Sequence, residues 1–380
     1  LAPLAVACGG AANPSPTTPT TASTSTSATI GTEIAPTDDD AGGKAAEVFA
    51  RAQKEMDAGK LAHARLLFDR VVAADRAQTS DGATLTSMGR AAAYNGALCA
   101  ERLEESKDAR DRFRALALTI GDTADAIDAQ LRRSRLDVEI EDYADLGVGA
   151  SALLARAELL SGDRAEALAM QGIALLQRGD AATADKTIHA ALKTLLPTDD
   201  ALPASQNAAA VHFAHGELLR TKGDAIVFIP VTPDFPDKME ARCQSILDAQ
   251  EAYIEAIKTH EMRWAVRAGL RVASMYIGLH DALLEIPPPA SATTDDKRAL
   301  FRGAMRLRYR ILLEKGLGTL QRTLSLAPAT GVKTTWLDRA REAKEQLEKH
   351  LADEKAEIAK LPYTEEQLQK ALDDLATKKH

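Results

Sequence analysis

Residues 168–192 read LAMQGIALLQRGDAATADKTIHAAL, and the order of small and large side chains in this stretch decides the fold. Gly172 is a small contact residue, Leu175 follows one turn later, Gly179-Asp180 makes a turn, and Ala184, Ile188 and Ala191 recur at helical spacing facing back. Two antiparallel helices approach closely only where side chains are small, and larger residues between those points fill the grooves. The stretch therefore predicts a helical hairpin.

The same register recurs along the chain. Phe49, Ala52, Gly59, Ala64, Phe68 and Val71 repeat it, as do Ala97, Ala109, Phe113 and Leu116. A degenerate copy surrounds Glu141-Asp142-Tyr143, and another runs from His215-Gly216 through Leu219 to Gly223-Asp224. A sixth pairs Ala249, Tyr253 and Ala256 with the helix starting at Trp264. Turns are expected near 59, 104, 141, 179 and 223, giving spacings of 45, 37, 38 and 44 residues. Hairpins repeated in order specify an α-solenoid, whereas an irregular bundle of the same composition would lack the recurrent small-residue register.

Composition agrees. The 380 residues carry a net charge of −8, 45% hydrophobic residues and only 4% aromatics. So few aromatics among strong helix formers disfavour sandwiches, barrels and propellers. An acidic chain lacks the positive field that draws in phosphate backbones, so no nucleic-acid partner is expected. No apolar run reaches the 18 or more residues of a membrane-spanning helix. Three cysteines suffice neither for a disulfide scaffold nor for a multi-cysteine zinc module.

Two interruptions and one terminus modify the array. Ile226-VFIPVTPDFPD holds three prolines and a β-branched run where a second helix should follow at once, so it reads as an extended insertion. Pro287-Pro288-Pro289 ends the Trp264 helix, and Ala290 to Asp296 forms a loop before a long helix. Either segment serves as a partner-contact loop or as closure over the stack. From Lys333 to Lys360 the chain is highly charged, with Leu347, Leu351, Ile358 and Leu361 along one edge interrupted by Glu354. This edge is read as a terminal cap in preference to a coiled-coil seam. After Pro362, Thr364 and Gln367 form a capping box for a last helix to about Thr377.

From Lys44 onward these repeats resemble the bacterial tetratricopeptide repeat (TPR) family, whose unit is about 34 residues; the longer spacings here imply elongated helices or inserted loops. At the other end, Leu4-Ala5-Val6-Ala7-Cys8 resembles a bacterial lipobox, although Ala5 stands where Leu is usual. The charged start and most of the apolar part of such a signal lie outside the sequence. In that family the signal is cut before the cysteine and lipid is attached to its thiol; Gly9 after it is compatible with the outer membrane. From Ala11 to Thr37, seventeen of 27 residues are Thr, Ser or Pro, too little apolar surface for a core, so this segment is expected to be a solvated tether. About 35 flexible residues reach roughly 30–35 Å, enough to hold a domain clear of a membrane. The expected organisation is a signal remnant over 1–8, a disordered tether over 9–43, an all-α TPR-like solenoid over 44–332 and capping helices over 333–380. Trp264, Tyr276, Leu283 with the prolines after Ile286, and Trp336 with Leu337 and Ala340 resemble TPR proteins of myxobacterial-type envelopes, some of gliding-motility machinery.

No motif brings reaction chemistry. Gly147-Val148-Gly149 lacks the third glycine of a dinucleotide cradle, and Gly59-Lys60 lacks the remainder of a P-loop. His260-Glu261 opens no HExxH helix, and Asp38-Asp39-Asp40 lacks the spacing of a calcium loop. His212 and His215 share a helical face with Glu217 nearby, but a zinc site needs a third and usually a fourth ligand. Cys99 and Cys243 read as small buried groups, with a bridge between them left open.

The resemblance implies that the first helix of each hairpin lines a groove. In this register the groove would receive Phe49, Gln53, Tyr94, Leu98, Glu101, Arg102, Ile173, Leu176, Phe213, Glu217 and Arg220. Aromatic and aliphatic groups mixed with charges suit an extended peptide or helix; several, notably Ile173 and Leu176, serve equally well as packing between repeats. The expectation is a non-enzymatic scaffold without cofactor. It binds envelope proteins or peptides and is held through lipid at Cys8 to the periplasmic face of the bacterial outer membrane. The alternatives are an envelope-metabolism enzyme with a metal at His212 and His215, and a soluble adaptor or chaperone.

Overall fold

The computed structural model of the chain describes residues 44–78, 84–119, 124–195, 205–326 and 334–377, with side chains to 371. Cys8, the Ser/Thr/Pro-rich segment and the Asp38 run lie outside the described residues. The described residues form fourteen α-helices and no strand, in two compact units that divide between Ala155 and Arg156. That division falls inside the stretch read from sequence as one array.

The N-terminal unit holds α1 (Ala45–Asp57), α2 (Leu61–Gln78), α3 (Ser87–Arg102), α4 (Ser106–Thr119), α5 (Ala124–Glu139) and α6 (Tyr143–Leu154). Each packs on the next along the chain, the arrangement of hairpins stacked in series. Ala52, Ala64, Leu67, Phe68, Val71 and Ala92 join α1, α2 and α3, and Ala97, Ala100, Ala109, Phe113, Leu116 and Ala129 carry the core on into α5. The repeated small residues named from the sequence are thus fully buried where helices meet.

The C-terminal unit holds α7 (Ser161–Gln177), α8 (Ala181–Leu195), α9 (Ser205–Asp224), α10 (Phe235–Lys258), α11 (Met262–Leu284), α12 (Asp295–Leu326), α13 (Thr335–Ala359) and α14 (Glu365–Thr377). Helices α7, α9, α11 and α13 contact one another in order, and each also packs on the helix that follows it or, for α13, on α12. This is the layered pattern of TPR-like hairpins: first helices side by side, second helices outside them. Gly172 makes the first hairpin possible, since a Cβ there would lie 2.3 Å from Cγ1 of Ile188. Gly216 does the same for α9, where a Cβ would fall 2.6 Å from the Tyr253 ring.

That contact corrects the sixth repeat. Ala249, Tyr253 and Ala256 belong to α10, which packs chiefly on α9, and the Trp264 helix opens the next hairpin. The reason is that α9 runs unbroken to Asp224, with the extended insertion at 225–234 closing its hairpin in place of a tight turn. The insertion is pinned to α10 by Arg242, whose guanidinium lies 5.0 Å from the centre of the buried Phe228 ring and donates to the Ile226 carbonyl at 3.3 Å. Tight turns fall at 58–60, 103–105, 140–142, 178–180 and 259–261, each with one left-handed residue: Gly59 (φ 76°), Glu104 (65°), Glu141 (61°), Gly179 (81°) and His260 (61°). Glycine adopts this conformation without strain, which is why 59 and 179 are visible in the sequence.

The last two helices are integral to their unit. Trp336, Leu337, Ala340, Leu347 and Leu351 share one core with Ala265, Val266, Ala273, Leu313 and Leu320 of α11 and α12, so the apolar edge of α13 is covered within the chain. The capping box forms as read: Gln367 N donates to Thr364 Oγ1 at 3.2 Å and Thr364 N to Gln367 Oε1 at 2.8 Å.

Candidate functional site

In the N-terminal unit the expected groove residues divide by helix. Phe49 is half-buried, its ring edge-on to Phe68 at 5.6 Å, while Gln53 one turn later is exposed. On α3, Tyr94 and Leu98 are half-buried against the Phe113 core, and Arg102 is exposed. Helix α5 contributes two residues that the sequence reading missed, Asp128 and Arg132. The Tyr94 hydroxyl donates to Asp128, and Arg132 Nε donates to the Tyr94 oxygen at 2.9 Å and to Asp128 Oδ2 at 2.9 Å. Arg132 also reaches Glu101 Oε2 at 3.0 Å, and its guanidinium lies 5.9 Å from the Tyr94 and Phe113 ring centres. Burial, and then the hydrogen bond to Asp128, push the Tyr94 hydroxyl up to about 12, so it remains a neutral donor. Two first helices are thereby joined by a fixed patch of tyrosine, arginine and carboxylates. The Asp128/Arg132 pair at i,i+4 was the available sequence signal.

In the C-terminal unit the same register leads inside. Ile173 and Leu176 are buried in α7, and the Phe213 ring lies tilted against Tyr253 at 5.6 Å and Trp264 at 5.1 Å. Glu217 is only 2% exposed. As placed, these four serve packing rather than an open groove, because a first helix here buries one face on its hairpin partner and another on the neighbouring first helix. Arg220 alone of the expected residues in this unit keeps partial exposure, bonded to Glu217 at 3.1 Å and Asp224 at 2.8 Å.

Glu217 is the centre of a buried charge network. It accepts from the Tyr253 hydroxyl at 2.5 Å and pairs with Arg271 of α11 at 3.0 Å as well as with Arg220. Burial opposes its ionisation, but Arg271 and then Arg220 outweigh that and hold the carboxyl below its ordinary range. Arg271 continues the network to Trp336, whose ring also faces the guanidiniums of Arg267 at 5.2 Å and Arg339 at 4.8 Å. Arg267, itself 2% exposed, lies 5.0 Å from the Trp264 ring as well. The approach of Arg267 and Arg271 to Trp336 was not legible in sequence, since an arginine does not disclose an aromatic partner two helices away, whereas Arg339 follows Trp336 by three residues on the same helix.

The possible metal set at His212 and His215 is not assembled. Its third member, Glu217, is engaged by Tyr253 and two arginines, and the histidines belong to neither of the metal-compatible groups found among the described residues. His215 packs edge-on to His189 of α8 at 6.1 Å. Burial lowers the affinity of both His212 and His215 for a proton; Glu255 opposes this at His212, while His189 adds to it at His215. Of the two groups, Asp137, Asp142 and Asp145 are matched by Arg110, Arg114 and Arg133, so cations of the chain already occupy their surroundings. Cys99 and Cys243 are both buried and neither forms a disulfide among the described residues; burial pushes the Cys99 thiol up to about 11. Among the described residues, no helix is long and apolar enough to cross a membrane.

No protein-family model matches this sequence, and no curated protein does. Solved structures do. A tetratricopeptide repeat protein from Parabacteroides merdae ATCC 43184 is 12% identical with a TM-score of 0.40, over 79% of this chain and 98% of that one. A TPR repeats protein from Bacteroides fragilis NCTC 9343 is 15% identical with a TM-score of 0.28, over 61% of this chain and 99% of that one.

Proposed function

We propose that the chain is a non-enzymatic protein-binding scaffold, anchored by lipid at Cys8 to the periplasmic face of a bacterial outer membrane and engaging envelope proteins or peptides. The observation that carries the binding reading is the Tyr94–Asp128–Arg132–Glu101 patch, in which an amphipathic surface on two first helices is held in place before any ligand arrives. A surface already ordered loses little conformational freedom on binding, so contact energy goes into affinity. Tyrosine and arginine are also the residue types that most often dominate protein interfaces. The exposed Gln53 and Arg102 lie on α1 and α3 of the same unit and extend the polar rim. The anchor reading is supported by the lipobox-like Leu4-Ala5-Val6-Ala7-Cys8 and the Ser/Thr/Pro-rich segment behind it. The resemblance around Trp264 and Trp336 favours a myxobacterial type of envelope.

Two experiments test these parts separately. Photo-cross-linking residues placed at Gln53 and Arg102 in cells should capture a discrete partner, while Lys107 on the second helix α4 should not; equal capture at all three sites, or none, refutes the surface. Replacing Cys8→Ser should move the protein from the membrane fraction to the soluble periplasm, and an unchanged membrane fraction refutes the anchor.

A further inference from the structure

Helices α11 and α13 are neighbouring first helices of the C-terminal unit, and they bring His280 to a pair, His350 and Glu354, spaced i,i+4 on α13. His280 of α11 and His350 and Glu354 of α13 each bring one ligating atom within 4.8 Å of the others. His280 is fully buried and Glu354 is 4% exposed. Nδ1 of His280 lies 3.0 Å from Oδ1 of Asp281, a pure acceptor, so that nitrogen is assigned the ring proton and Nε2 carries the lone pair. Nε2 is buried with no hydrogen-bond partner. Glu354 repeats the pattern: Oε1 accepts from Arg306 at 2.6 Å, and Oε2 is buried with none. His350 stands edge-on to His280 at 5.2 Å, its Nε2 3.9 Å from Glu354 Oε1 and beyond hydrogen-bond range.

Two buried acceptors without a donor are costly to maintain, and a cation satisfies both at once. We propose that His280, His350 and Glu354 bind a divalent transition-metal ion, zinc by preference. Two imidazoles and one carboxylate suit zinc, whereas magnesium and calcium select all-oxygen sites. Asp281 and Arg306 supply the outer hydrogen bonds that such ligands need, the first fixing the imidazole tautomer and the second orienting the carboxylate from its other oxygen. Tetrahedral zinc at about 2.1 Å from each ligand sets donor separations of roughly 3.4 Å, so the site must contract on binding. His350, partly exposed at the rim, is the ligand able to move, and water completes the fourth position from that side. The ion would tie α13 to α11. This assignment is independent of the scaffold reading and involves none of its residues.

The test uses the full chain stripped of metal with a chelator. Calorimetric titration with zinc chloride should show one equivalent bound per chain and a raised melting temperature, with magnesium chloride giving neither. Cobalt(II) should give the visible absorption of a low-coordinate nitrogen/oxygen site. His350→Asn and Glu354→Gln should each weaken zinc binding at least tenfold while far-UV circular dichroism stays helical, and Asp281→Asn should weaken it roughly 10–100-fold through the tautomer. Absence of zinc binding overturns the assignment, as does binding that neither the His350 nor the Glu354 substitution changes. His350 is partly exposed, and an unchanged helical far-UV spectrum separates lost zinc binding from a misfolded chain.

Discussion

The contact between Gly172 and Ile188 holds the hairpin that decides the fold, and it can be tested with a sign reversal. An alanine at 172 would place its Cβ 2.3 Å from Ile188 Cγ1 and 2.9 Å from Cδ1, with Ile188 itself fully buried. Overpacking a buried contact costs about 1–3 kcal/mol, and 2.3 Å is far inside van der Waals distance, so the upper end applies. Against this, alanine is preferred over glycine within a helix by about 1 kcal/mol. Gly172→Ala should therefore destabilise the C-terminal unit by about 2 kcal/mol, a fall of roughly 4–8 °C in melting temperature for a unit of this size. Ile188→Ala alone removes a buried side chain and should cost about 2–5 kcal/mol. In the Ile188→Ala background the obstruction is gone, the new methyl enters the vacated space, and Gly172→Ala should stabilise by about 1 kcal/mol, a coupling of about 3 kcal/mol between the two sites. Thermal and urea unfolding of the four proteins, followed by far-UV circular dichroism, measures the cycle. The two compact units require that the transition belonging to the C-terminal unit be resolved before values are compared. If Gly172→Ala costs the same in both backgrounds, the close approach of α7 and α8 does not rest on this pair and the reasoning fails.

Three further outcomes follow from the same structure. Glu217→Gln should destabilise the C-terminal unit by about 3–5 kcal/mol, because Arg220 and Arg271 are left without their buried countercharge, and chemical denaturation measures the loss. His212 and His215 have lowered folded-state affinities for protons, so their contribution to stability is intact above the unfolded value of 6.5 and is lost as pH falls through their folded values. The double variant His212→Gln/His215→Gln should flatten the melting-temperature profile on the acid side of 6.5, in surroundings that include His189, Lys222, Asp248 and Glu255; a profile parallel to that of the parent argues against the burial effect. Thr364→Ala removes one half of the capping box and should cost about 0.5–2 kcal/mol locally, seen as faster amide hydrogen exchange in α14 with the α11–α13 core unchanged.

The hairpins were legible because a close helical contact demands glycine or alanine at fixed steps, and Gly172, Ala184 and Ala191 state that demand within 20 residues of one another, with Ile188 as the large residue between them. Gly59 and Gly179 marked their turns for the same local reason, and Thr364 with Gln367 marked a helix start. The pairing of α10 was misread because a proline-rich insertion, rather than a short turn, closes its hairpin. Which of the expected groove residues stay exposed was not legible: periodicity identifies an apolar helical face, but Ile173, Leu176 and Phe213 lie on helices with two buried faces, and the sequence pattern of both is the same.

Local order in the chain thus determined the helices, most of their tight turns and the small residues through which hairpins close, since all of these depend on neighbours a few positions away. Tertiary packing alone decided which charges on different helices meet. Glu217 and Arg271 lie on successive first helices, and His280 reaches Glu354 only because α11 lies beside α13. A carboxylate or an imidazole carries no mark of its future partner; side-by-side packing of helices far apart in the chain creates both the burial and the need for a countercharge.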